Sequence, residues 1–62
     1  MPATYYETYE RDGAWYWKVY QYDKTGNREV VLKDGGPFSD EGDAADHCCN
    51  WMEEAGVEAE LA

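Results

Sequence analysis

No apolar run in this 62-residue chain approaches the ~20 residues that span a bilayer. The opening MPATYYETYE has neither the basic nor the apolar region of a secretory signal, so a soluble protein of a reducing cytoplasm is expected. Cysteine is nearly absent. Cys48 and Cys49 are neighbours that close no loop, which argues against a secreted disulfide scaffold. Basic residues are scarce as well: five Lys and Arg stand against fourteen Asp and Glu, for a net charge of −9. Nucleic acid and anionic membrane surfaces both demand a basic footprint, so neither is expected as a direct partner. Basic proteins are favoured instead.

The scarcity is local. Residues 1–33 hold five acids and five bases and are neutral. Residues 34–62 hold nine acids, Asp34, Asp40, Glu41, Asp43, Asp46, Glu53, Glu54, Glu58 and Glu60, and no Lys or Arg at all. The entire net charge belongs to the second half.

Aromatic residues are plentiful: three Trp, six Tyr and one Phe. A chain this short forms one domain, residues 1–62, and buries only about 60% of the surface its unfolded form exposes. Large side chains must therefore build its core, each buried aromatic removing roughly 150–250 Å² from water. TYYETYE reads as a first strand over residues 4–10, and RDG supplies a turn in which Gly13 takes positive φ. AWYWKVYQY is a second strand, with Trp15, Trp17 and Val19 on one face and Tyr16, Lys18, Tyr20 and Tyr22 on the other. After the turn DKTGN, REVVLK forms a third strand with Val30 and Leu32 on one face.

DGGPF is expected to end the sheet, because paired glycines weaken a strand and Pro37 removes a donor. Ser39 is the expected N-cap of a helix over Asp40 to Ala55, with Gly56 as its stop. VEAEL is either a short fourth strand or a frayed tail. At 100° per residue the helix separates Ala44, Ala45, Cys48, Trp51, Met52 and Ala55 from Asp43, Asp46, His47, Asn50, Glu53 and Glu54. The apolar group should cover Trp15, Trp17, Val30 and Leu32. The expected fold is a two-layer α+β domain: a three-stranded antiparallel meander packed against one C-terminal helix, βββα, with a possible short fourth strand.

The stretch SDEGDAADHCCNWMEE invites a metal or thiol reading, and its geometry opposes both. His47 and Cys48 diverge by ~100° on a helix, whereas converging ligands need i, i+3 or i, i+4 spacing. Asp43 and His47 have that spacing but make only two ligands. Carboxylate neighbours favour a protonated thiol, and no base and orienter stand beside Cys48. Neither DKTGNREVVLKD nor DGGPFSDEGD fits a calcium loop. No catalytic residue, cofactor or metal is expected. A base-stacking role for the aromatic sheet would need uncompensated basic residues beside the rings, and an acid balances each base there.

The acidic half is the better candidate. Opposite-sign i, i+4 pairs would stabilise an exposed helix, yet none is present. Asp43, Asp46, Glu53 and Glu54 span about 16 Å of helix, roughly one charge per 5 Å. One DNA strand places a phosphate about every 3.4 Å of axis. With Asp34, Asp40, Glu58 and Glu60 added, the charge density approaches that of a phosphate backbone.

Two resemblances bear on this reading. Residues 9–52 resemble the bacterial YegP-like domain through DGAWYWKV (Asp12 to Val19), GNREVV (Gly26 to Val31) and PFSDEGDAADHC (Pro37 to Cys48). Positions usually basic in that family are acidic here. The resemblance implies a βββα fold and no activity. By size, charge pattern and absence of catalytic machinery, the chain is also similar to small acidic phage anti-CRISPR proteins that mimic double-stranded DNA. That class shares no motif, so no residue is carried over from it. It implies a non-enzymatic inhibitor in the bacterial host cytoplasm, expected to be monomeric. Its partner would be a basic DNA-binding protein, a subunit of a type I CRISPR surveillance complex (Cascade). The inhibitor would occupy the surface that reads the protospacer-adjacent motif (PAM), and so block target DNA. The expected contacts are Asp34, Asp40, Asp43, Asp46, Glu53, Glu54, Glu58 and Glu60. The alternative is a small adaptor domain that binds a protein through the aromatic sheet, using tyrosines such as Tyr20 and Tyr22.

Overall fold

Alternating side chains divide the sheet into one face under a helix and one open face. The computed structural model describes residues 3–62, in the order β1 (Thr4–Arg11), β2 (Ala14–Tyr22), β3 (Glu29–Phe38), α1 (Glu41–Ala55) and β4 (Glu60–Leu61). The strand order is β3-β2-β1-β4, giving the expected α+β, βββα architecture with a fourth strand added. The segment left open by the sequence is therefore a strand: Glu60 and Leu61 pair in parallel with Tyr5 and Tyr6.

β1 and β2 pair antiparallel without interruption, from Thr4 opposite Gln21 to Arg11 opposite Ala14. The two-residue turn between them needs positive φ at both positions, taken by Asp12 at 53° and Gly13 at 80°. The second turn is held by Asp23, whose carboxylate accepts from the Thr25 hydroxyl and from the amides of Thr25, Asn27 and Arg28. These bonds, the Thr25 hydroxyl first among them, hold the Asp23 carboxyl below its ordinary range.

Strict alternation places Tyr6, Trp15, Trp17 and Val19 under the helix. Trp17 and Val19 are fully buried there with Ala44 and Cys48, and Tyr6, Trp15, Phe38, Trp51, Met52, Val57 and Ala59 pack around them. Ala55, expected to face inward, is exposed at the end of the helix.

Three expectations need correction. β3 does not stop before DGGPF but continues to Phe38, with register shifts on either side of the Trp17–Gly35 to Val19–Lys33 pairing. The glycines are required by packing: a Cβ on Gly35 would lie 2.7 Å from Cε2 of Trp17, and one on Gly36 would strike the Tyr16 ring. Pro37, after a cis peptide bond, is tolerated because β3 is an edge strand. The bulge near Lys33 and the proline also blunt that edge against pairing with other chains.

Second, the helix does not cover Val30 and Leu32, which remain 48% and 44% exposed. α1 starts after Phe38, at the Trp15 end of β3, and leads to β4 beside β1. It thus crosses the sheet diagonally and leaves the Gln21–Val30 corner bare. Third, the N-cap is Asp40 rather than Ser39. Asp40 is extended, with φ −146° and ψ 167°, and its carboxylate accepts from the Asp43 amide at 2.8 Å. Ser39 instead donates its hydroxyl to the Asp43 carboxylate at 3.5 Å. Gly56 ends the helix at φ 69°, as expected.

Candidate functional site

The charges of the two halves are organised differently. In the first half, Lys18 at the centre of the open face bridges Glu29 at 2.9 Å and Glu7 at 3.2 Å. These are the only ion pairs among the described residues. The bond to Glu29, opposed by partial burial and reinforced by Glu7, raises the Lys18 ammonium above its ordinary range. Its Nζ also lies 5.0 Å from the Tyr20 ring centroid and 5.7 Å from that of Tyr9.

In the second half, none of the nine acids has a cationic partner among the described residues. Helical geometry gathers four of the expected contacts. Asp43, Asp46 and Glu53 lie on the outer side of α1, opposite buried Ala44 and Cys48, and Glu54 shares a flank with His47. Asp43 benefits from the positive end of the helix dipole. Glu53 and Glu54 face its negative end, where the last turn holds no basic residue. Charge placement there runs against helix stability.

The other four expected residues do not extend this row. Asp40 sits at the helix entrance, its carboxylate engaged in capping. Glu58 is exposed in the segment after Gly56, and Glu60 pairs with Tyr5 on β4. Asp34 pairs with Lys18 in the sheet register, so it belongs to the open face, away from the helix. The acids therefore surround the domain on two layers.

Two residues, His47 on α1 and Tyr20 on β2, take roles that the spacing of the sequence does not reveal. His47 is exposed, but its Nδ1 accepts the indole N–H of buried Trp17 at 3.1 Å, and its ring lies 5.1 Å from that of Phe38. It thus joins helix to sheet rather than standing apart on a polar face. The signal was present in part: His47 flanks the apolar stripe and a buried indole needs an acceptor. Tyr20 is only 4% exposed, enclosed by Tyr5 and Tyr22 with ring centroids at 5.9 Å and 5.8 Å. Tyr20 is therefore unavailable to a partner, whereas Tyr22 is 44% exposed.

Cys48 is a core residue, as its position in the apolar stripe indicates. Burial, with Cys49 beside it, pushes its thiol up to about 11, so it is protonated at neutral pH. Cys49 is exposed. Among the described residues no three His, Cys, Asp or Glu side chains gather in a metal-binding arrangement, and no helix is long and apolar enough to cross a membrane. No protein family, no curated protein and no solved structure matches the chain.

Proposed function

We propose that this protein is an acidic mimic of duplex DNA that occupies a basic DNA-binding surface of a protein partner. The observation that carries the reading is the half-molecule of nine acids without one internal Lys or Arg, five of them fixed on a helix capped at both ends. Because the helix is ordered before binding, its charges are presented at little entropic cost. The uncompensated Glu53 and Glu54 at the negative helix end support selection for something other than stability.

The similarity in type to phage anti-CRISPR proteins directs the proposal to the PAM-reading surface of a type I CRISPR surveillance complex in the bacterial host cytoplasm. Binding there, chiefly through Asp43, Asp46, Glu53 and Glu54, would leave target DNA unbound. Asp34, Asp40, Glu58 and Glu60 contribute to the surrounding negative potential. No side chain performs chemistry in this reading.

Pull-down from bacterial lysate at low and high salt tests it. A DNA-binding protein or surveillance complex captured only at low salt is expected, because contacts between exposed charges are screened by salt. Capture that persists at high salt, and that survives Asp43→Lys, Asp46→Lys and Glu54→Lys together, would overturn the proposal.

A further inference from the structure

The open face of the sheet carries five of the six tyrosines. Register places Tyr5 and Tyr9 of β1 beside Tyr20 and Tyr16 of β2, with Tyr22 at the end of the strand. Charged residues divide them into two clusters, since Glu7 and Lys18, register partners and an ion pair, form a band between Tyr5 and Tyr20 on one side and Tyr9 and Tyr16 on the other. Beyond this band Tyr9 and Tyr16 stack at 5.6 Å with their planes only 17° apart. They form the floor of an open groove of about 330 Å³ whose other walls are Arg11, Asp34, Gly35 and Gly36.

Asp34 has two cations in its neighbourhood and an ion pair with neither. Lys18, its register partner, turns to Glu29 and Glu7, and the Arg11 guanidinium lies 5.8 Å from the Tyr9 ring centroid. Gly36 brings bare backbone against Tyr16, where any Cβ would strike the ring, so the ring lies directly on the backbone beside Asp34. The groove thus combines a flat aromatic surface with an unpaired carboxylate at its rim. A guanidinium uses both at once, stacking its plane on a ring and presenting two parallel N–H groups to a carboxylate. An ammonium has no planar fork to match. Arg11 already shows that a guanidinium is accommodated over the neighbouring ring.

We infer that the Tyr16–Asp34 groove is a docking subsite for an arginine side chain of a protein partner. The ring of Tyr16 supplies the stacking surface and the Asp34 carboxylate the ion pair. A partner of opposite charge is also what the −9 net charge favours. This subsite lies on the opposite layer from the helix acids, and it does not depend on DNA mimicry.

The test is NMR titration of the full chain with two short peptides of equal charge, one bearing arginines and the other lysines in the same sequence. The arginine peptide is expected to bind about five- to tenfold more tightly and to shift the Gly35 and Gly36 amides. Tyr16→Leu and, independently, the conservative surface change Asp34→Asn should each reduce that preference towards unity. The Asp43→Lys, Asp46→Lys, Glu54→Lys variant should weaken both peptides while keeping the preference, which separates this inference from the proposed function. Equal affinity for the two peptides, or a preference that survives Asp34→Asn, would overturn it.

Discussion

The two halves of the molecule handle charge in opposite ways. In the strands up to residue 33, each base has an acid to balance it, and Lys18 is held between Glu7 and Glu29 over tyrosine rings. From Asp34 onward the acids meet no cation among the described residues, and Glu53 and Glu54 oppose the helix dipole. Yet the halves share one core, in which Trp17 and Val19 meet Ala44 and Cys48. The contrast teaches that the second half is anchored by apolar contacts, strand pairing and the Trp17–His47 hydrogen bond, and by no ion pair among the described residues. Its charges face outward, and only those at the helix N-terminus, Asp40 as cap and Asp43 in the first turn, gain anything from within the fold.

The largest effect should come from breaking the shared core. Trp17→Ala is expected to cost about 3–5 kcal/mol in urea denaturation, because it removes a fully buried indole. Next comes the combined reversal Asp43→Lys, Asp46→Lys and Glu54→Lys. It should lower partner affinity by roughly a hundredfold while leaving the circular dichroism spectrum unchanged, since charge complementarity supplies the contacts and no internal pair is lost.

His47→Ala should cost about 1–3 kcal/mol by leaving the Trp17 indole N–H without an acceptor, with a visible change in tryptophan fluorescence. Lys18→Met sharpens the comparison from the other side. Its exposed pairs should contribute no more than about 1 kcal/mol. Because the folded state raises the Lys18 ammonium, that contribution is full below 10.5 and fades as pH climbs through the raised value. The smallest effect is chemical. At neutral pH Cys49 should react with a thiol alkylator while Cys48 reacts only on unfolding, as mass spectrometry would show.

Much of the fold was legible because alternation and helical period are strong signals here. Spacing alone puts Trp15, Trp17 and Val19 on the covered face and Cys48 in the core, where the structure has them. The misplacements have specific physical causes. DGGPF looked like a sheet breaker because glycine and proline weaken central strands, but on an edge strand Gly35 and Gly36 make room for Trp17 and Tyr16. Val30 and Leu32 satisfied the strand pattern, yet the diagonal path of the helix toward β4 decides what is covered, and no local pattern encodes that path. Ser39 and Asp40 are both good caps, and the choice turned on which side chain reached the Asp43 amide.

The acidic site was legible as composition and less so as geometry. Asp43, Asp46, Glu53 and Glu54 share a helix, as spacing requires. Asp34 lies on the other layer because β3 continues beyond Lys33 and keeps it opposite Lys18. Helical spacing puts His47 on the polar side, because a helical wheel shows angles, not reach. Its ring extends from the flank to the Trp17 indole.

The most direct test of the central claim is competition between this protein and labelled duplex DNA for a purified type I surveillance complex, repeated across a salt series. DNA mimicry predicts that the protein displaces the duplex, that added duplex displaces the protein in turn, and that its affinity falls steeply with salt. Simultaneous binding of protein and duplex, or an affinity indifferent to salt, would contradict it.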